Sequence, residues 1–110
     1  MLLVLVRDLL FVSKITATAR AAANPPLLAL LRDPANLAKQ TPGARRLILD
    51  ANLPGAIQAA AAYKCRSPST AIVAFVAHTD AQTIALAREG GIEKLLARSA
   101  FFDHLDSFLD

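Results

Sequence analysis

Short apolar runs alternate with helix-length segments along this chain. Leu2–Val6 is a continuous apolar run, the pattern of a strand buried on both faces of a parallel sheet. From Leu9 to Ala23, Val12, Ile15, Ala19 and Ala22 recur at helical spacing with Lys14 and Arg20 off that stripe, and Asn24-Pro25-Pro26 ends the segment. Leu27–Leu31 is a second apolar run, after which Asp33-Pro34 reads as an N-cap followed by proline at the first helical position. That helix is short, because Thr41-Pro42-Gly43 closes it. Leu47-Ile48-Leu49 predicts a third strand ending at Asp50, and Asn52-Leu53-Pro54-Gly55 a turn into an alanine-rich helix over Ala56–Lys64.

Arg66-Ser67-Pro68-Ser69 reads as a loop before a fourth strand, Ala71–Val76, rich in β-formers. Thr79-Asp80-Ala81-Gln82 has capping-box spacing and opens a helix that Gly90-Gly91 stops. Lys94–Ala97 is a short fifth strand at the sheet edge. Ser99 is expected to cap a last helix with Phe101, Phe102, Leu105, Phe108 and Leu109 on its apolar face and Asp103, His104 and Ser107 facing water. Five β-then-α units predict an open, doubly wound α/β sheet. A thioredoxin-like or other small α/β sheet is the competing arrangement, but such sheets mix in antiparallel hairpins, and no Asn-Gly type hairpin signal is present.

Composition narrows the function classes. With 110 residues the expectation is a single domain over 1–110. An apolar share of 55% and a charged share of 19% exclude a disordered tail. A mean hydropathy of +0.41 does not make a membrane protein, because Arg7 and Asp8 interrupt the first apolar stretch far short of the ~18 residues a span needs. No basic residue precedes that stretch, so it is not a signal peptide, and a cytoplasmic protein keeping its N-terminus is expected. The single Cys65 with only His78 and His104 is too little for a zinc site and fits a reducing compartment. Twelve Lys and Arg against nine Asp and Glu raise the question of nucleic acid. The only tight basic cluster is Arg45-Arg46, without interleaved aromatics, so nucleic acid is not the expected partner.

In such a sheet the ligand crevice lies beyond the carboxyl ends of the strands. That leaves Arg7 and Asp8 after the first strand, Asp50 after the third, Val76, Ala77 and His78 after the fourth, and Arg98 after the fifth. Asp8 and Asp50 are the two carboxylates that could hold a hard cation such as Mg²⁺. The competing reading is that each only caps the helix or loop that follows.

At this point the chain resembles the receiver domains of bacterial two-component response regulators. Leu47-Ile48-Leu49-Asp50-Ala51-Asn52-Leu53-Pro54-Gly55 is similar to the family's third strand, phosphoacceptor aspartate and proline-containing turn. Ala71–His78 and Glu89–Arg98 are similar to its fourth strand and to its helix stop and fifth strand. The resemblance implies a flavodoxin-like three-layer sandwich, a five-stranded parallel sheet in the order 2-1-3-4-5. It also implies Asp50 as phosphoacceptor and Asp8 as second member of the acidic pair that binds Mg²⁺, with the backbone carbonyl of Asn52 as third ligand. Arg7 stands where the family has its first acidic residue, Val76 where it has a Ser or Thr switch, Arg98 where it has Lys, and Ser99 where a proline usually follows that Lys in a cis peptide.

These departures bear on the chemistry, because phosphoryl transfer to a carboxylate rests on electrostatic positioning. Arg7 in place of an acid changes the pocket by two charge units. At ~4 Å and an effective dielectric near 20 each unit is worth about 4 kcal/mol, so an inward Arg7 would compete with Mg²⁺ or pair with Asp50 or Asp8. Val76 removes a hydroxyl, and Arg98 keeps a cation without the compact ammonium. The expected function is a stand-alone, divergent receiver-like domain that signals by protein–protein interaction with impaired or absent aspartyl phosphorylation. The alternative is a functional receiver phosphorylated on Asp50 by a histidine kinase. No enzymatic activity is expected beyond Mg²⁺-dependent autophosphorylation. The resemblance points to the fourth helix, fifth strand and fifth helix as a docking or homodimer face, here Arg88, Lys94, Asp103, His104 and Ser107. His78 reads as a loop residue before a general base, Cys65 as inert, and Phe101-Phe102 as core before partner surface. No Gly-rich phosphate loop and no Ser-His-Asp order is present.

Overall fold

The computed structural model describes residues 1–77 and 81–109. Five strands, β1 (Leu2–Leu5), β2 (Leu28–Leu31), β3 (Arg46–Asp50), β4 (Ala71–Val76) and β5 (Lys94–Ala97), form one sheet in the order β2-β1-β3-β4-β5. Every pairing is parallel, so each crossover carries a helix, as right-handed βαβ units require. The helices are α1 (Leu9–Ala21), α2 (Pro34–Leu37), α3 (Ala56–Arg66), α4 (Ala81–Glu89), α5 (Arg98–Asp103) and α6 (Leu105–Phe108). This is the predicted doubly wound, flavodoxin-like sheet. Among the described residues no helix is long and apolar enough to cross a membrane.

The unbroken apolar runs explain the sheet's centre. β1 is buried at all four positions, because it has a strand on each side and helices on each face. On one face Leu3, Leu5, Leu47, Leu49, Ile72 and Ala74 pack with Leu37, Ala56, Ala60, Tyr63 and Ala87 from α2, α3 and α4. On the other, Leu2, Val4, Ile48, Val73 and Phe75 pack with Ile15, Ala19, Phe101, Leu105 and Phe108 from α1, α5 and α6. All five phenylalanines of the chain meet in this second layer. Phe75 stacks on Phe101 at 4.9 Å and meets Phe11 edge-on at 5.7 Å, while Phe101 stacks on Phe108 at 5.3 Å. Each such pair adds about 0.5–1.5 kcal/mol to the area it buries.

Two helix signals held and one did not. Asp33 caps α2, its Oδ1 accepting from the Ala35 N–H at 2.9 Å, with Pro34 opening the helix. Gly91, at φ +81°, closes α4 as the Ile92 N–H reaches back to the Ala87 carbonyl at 3.0 Å. Ser99, expected as the last cap, is instead the second residue of α5: the cap is Ala97, which makes no side-chain hydrogen bond. The single last helix is two short ones, broken at His104, where φ −120° and ψ 26° leave helical space. The break lets Phe101 and Phe108 share one core, so packing outweighs helix continuity. The Thr79 and Asp80 part of the expected capping box lies outside the described residues.

Candidate functional site

The chain passes from β1 to the edge strand β2 and returns on the other side of β1 as β3. The strand order therefore reverses between β1 and β3, and the crevice opens beyond their carboxyl ends. Asp8 and Asp50 flank it. Asp50 is the last residue of β3, in register with Phe75 of β4. Asp8 follows β1 and caps α1, its Oδ1 accepting from the Leu10 N–H at 2.9 Å. Asp50 Oδ1 accepts from the Asn52 N–H at 3.0 Å, a local Asx turn. The capping reading of the carboxylates holds, for each accepts a backbone N–H of its own segment.

Burial is the largest influence on Asp50 and raises its pKa above the ordinary aspartate value. The Asn52 N–H and the charge of Arg98 oppose that rise, and the charge of Asp8 adds to it. Asp8, Asp50 and Arg98 thus form one electrostatic unit built from three strand ends. Arg98, at the start of α5, holds its guanidinium over the Phe11 ring at 4.9 Å, and its buried Nε has no hydrogen-bond partner. A cation pinned on an aromatic face and partly desolvated acts on a neighbouring carboxylate more strongly than one in water. Val76, the last residue of β4, is fully buried and pairs in register with Ala97.

Arg7 departs from expectation. Its Nε donates to the Arg32 carbonyl at 3.1 Å, at the end of β2, and among the described residues the only ion pair is Lys64–Glu93. That bond ties the Arg7 side chain to the loop that follows the edge strand. Arg7 therefore pairs with neither Asp50 nor Asp8.

Asn52 has a role that its sequence position did not disclose. Its side-chain Oδ1 accepts from the Ala77 N–H at 2.7 Å, fastening the loop after β3 to the loop after β4. The readable signal was an Asn two residues beyond a strand-end Asp; its partner, 25 residues away, was not readable. The donors available to a cation are two carboxylates and the Asn52 carbonyl. Among the described residues no group of three His, Cys, Asp or Glu converges. Two carboxylates and a carbonyl are within what a hydrated Mg²⁺ accepts, and each carboxylate also accepts one backbone N–H.

The five expected docking residues do not line one groove. Arg88 and Lys94 border a groove with Ile84, Ile92 and Leu95 between α4 and β5. Asp103 borders another, with Lys14, Thr18 and Asp106, between α1 and the α5–α6 pair. His104 is exposed between α5 and α6, where its carbonyl accepts from the Ser107 hydroxyl at 2.7 Å. Cys65 is exposed in the last turn of α3. His78 lies outside the described residues.

Solved structures share this architecture. The response regulator DrrB of Thermotoga maritima superposes with a TM-score of 0.79 at 13% identity, over 96% of this chain and 48% of its own. A Burkholderia pseudomallei response regulator carrying a phosphorylated aspartic acid and a calcium ion gives 0.79 at 14% identity, over 99% and 65%. The Mn²⁺-bound response regulator Rcp1 gives 0.79 at 15%, over 96% and 88%. The chain thus spans about half of the first of these proteins and 65% of the second. No family model and no curated protein matches the chain. The fold is that of response-regulator receiver domains; identities this low carry the fold and leave the chemistry to the site.

Proposed function

We propose that this chain is a divergent receiver-like signalling domain that acts through protein–protein contacts, with aspartyl phosphorylation impaired or absent. The observation that carries the reading is the make-up of the crevice. It offers two carboxylates, each committed to a backbone N–H, a guanidinium over Phe11, and the hydroxyl-free, buried Val76. Phosphoryl transfer needs a metal and a cation to neutralise charge growing on the equatorial oxygens. Here Asp8, Asp50 and the Asn52 carbonyl would hold Mg²⁺ weakly, and the N–H of Ala77 is already taken by Asn52. Partners in this reading are a histidine kinase or another signalling protein; of the residues expected on a docking or homodimer face, Arg88 and Lys94 share the α4–β5 groove, while Asp103 borders the separate groove beside α1.

Incubation with acetyl phosphate and Mg²⁺, followed by mass spectrometry, tests it. The expected result is unmodified protein. A species heavier by one phosphoryl group and lost in Asp50→Asn would overturn it and establish the alternative, a functional phosphoacceptor. That alternative draws on the placement of Asp50 at the end of β3 within the influence of both Arg98 and Asp8. A metal titration of Arg7→Asp complements it: a third carboxylate at this strand end should raise Mg²⁺ affinity by about tenfold or more.

A further inference from the structure

We propose that the open edge of β2 is a docking site for an extended, apolar strand with acidic flanks supplied by a partner protein. β2 closes one side of the sheet, and only its inner side is paired, to β1. The Leu27 and Leu31 carbonyls accept from Leu2 and Val6 of β1. Since strand groups alternate in direction, Leu28 and Leu30 turn their N–H and C=O outward. Natural edges are guarded by charge within the strand; β5, at the opposite edge, begins with the exposed Lys94. β2 reads Leu-Ala-Leu-Leu, with no charged residue. Leu27 is 74% and Leu30 48% exposed. They border an apolar groove with Ala19, Pro25, Pro26 and Leu28 that runs between α1 and the edge strand.

The charge around this edge selects the occupant. Residues 7–43, which hold α1, β2 and α2, carry five Lys and Arg against two Asp and Glu. Arg20 lines the groove, and Arg7 and Arg32 meet at the end of β2. Asp33, two residues beyond β2, is turned onto the Ala35 N–H as the α2 cap, and Asp8 onto the Leu10 N–H as the α1 cap. A second copy docked through the same edge would bring these arginines face to face, and like-charge apposition opposes such a dimer. A lipid surface would leave the outward N–H and C=O groups without partners in hydrocarbon. A β-strand satisfies those groups, covers the leucines, and with acidic flanks meets the arginines.

The probe is a synthetic peptide of alternating valine and threonine with glutamates at both ends, titrated into the isotope-labelled chain and followed by amide hydrogen exchange. The expected result is slowed exchange at Leu28 and Leu30 and an affinity that falls about tenfold as salt screens the arginines. The same peptide flanked by lysines should bind about tenfold more weakly. Leu27→Glu, at an exposed position, and Leu30→Lys should each lower affinity by about tenfold with the thermal midpoint unchanged. Asp50→Asn should leave binding intact, which separates this site from the crevice chemistry. No protection at Leu28 and Leu30 at millimolar peptide, or equal affinity for the lysine-flanked peptide, would overturn the proposal. So would a concentration-dependent dimer, or retention on phosphatidylglycerol vesicles, that Leu30→Lys abolishes, since these assign the edge to a second copy or a membrane.

Discussion

The two ends of the sheet treat their polar groups in opposite ways. At the amino end a closed network ties loops to strands. The Tyr63 hydroxyl donates to the Thr41 carbonyl and accepts from the Ala44 N–H. Thr70 Oγ1 donates to the Ala44 carbonyl at 2.6 Å and lies 2.7 Å from Ser67 Oγ, which accepts from the Gly43 N–H. Lys64 bonds the Thr70 carbonyl and Glu93, whose other oxygen accepts from the Ile72 N–H at 2.6 Å. At the carboxyl end Asp8 and Asp50 each hold a single local bond and burial penalises the Asp50 charge, while a buried guanidinium nitrogen without a partner occurs at both ends, in Arg46 and in Arg98. At the amino end polar side chains bond across segments and hold the fold, whereas at the carboxyl end the two carboxylates bond only within their own segments.

The contrast breaks most visibly at Thr70, which is fully buried. Thr70→Val keeps the shape but strands the Ala44 carbonyl and the Ser67 hydroxyl, and should cost about 2–3 kcal/mol, seen as a lower urea midpoint with an unchanged slope. An unaltered midpoint would show that the amino-end network contributes nothing to stability.

Glu93 is the next probe. Burial pushes its pKa up, but the hydrogen bonds from Lys64 and the Ile72 amide outweigh that and set it below the usual value. A lowered carboxylate pKa stabilises the native state above the unfolded value and loses that stabilisation as pH falls through the folded one. Glu93→Gln should therefore cost under about 1 kcal/mol at neutral pH, after allowance for solvent screening. The gap to the parent protein should close on acidification below the ordinary glutamate range.

Asp50 has the opposite sign and the smallest effect. Its pKa is raised, so the folded state binds a proton more readily than the unfolded one, and stability falls as pH rises between the unfolded and folded values. Asp50→Asn retains an oxygen for the Asn52 N–H and should stabilise the protein at neutral pH by a few tenths of a kcal/mol, with the gain vanishing at low pH. Destabilisation at neutral pH would erase the distinction between the two ends.

Most of the fold was legible because parallel strands leave an unambiguous mark. Leu2–Val6, Leu47–Leu49 and Ala71–Val76 are apolar without alternation, and Arg7-Asp8, Pro54-Gly55 and Pro68 mark boundaries with neighbouring helical segments. Asp33-Pro34 was readable for the same reason, since capping and proline chemistry are local. The crevice was legible only as a set of positions. Asp8, Asp50 and Arg98 follow from strand ends, but the Arg7 bond depends on the Arg32 carbonyl, and the Asn52 tether depends on Ala77. The break at His104 was hidden because the apolar spacing of Phe101, Leu105 and Phe108 suits a continuous helix as well as two short ones.

By itself, then, the sequence determined the order and kind of elements and which residues stand at strand ends, because periodicity, caps and turns act over a few residues. Tertiary structure decided which of those residues meet. It tied Arg7 to the Arg32 carbonyl, laid Arg98 over Phe11, joined Asn52 to Ala77, and left β2 open at the edge with Leu27 and Leu30 exposed. These outcomes turn on hydrogen bonds and packing between segments far apart in the chain, and such contacts exist only once the sheet has brought the segments together.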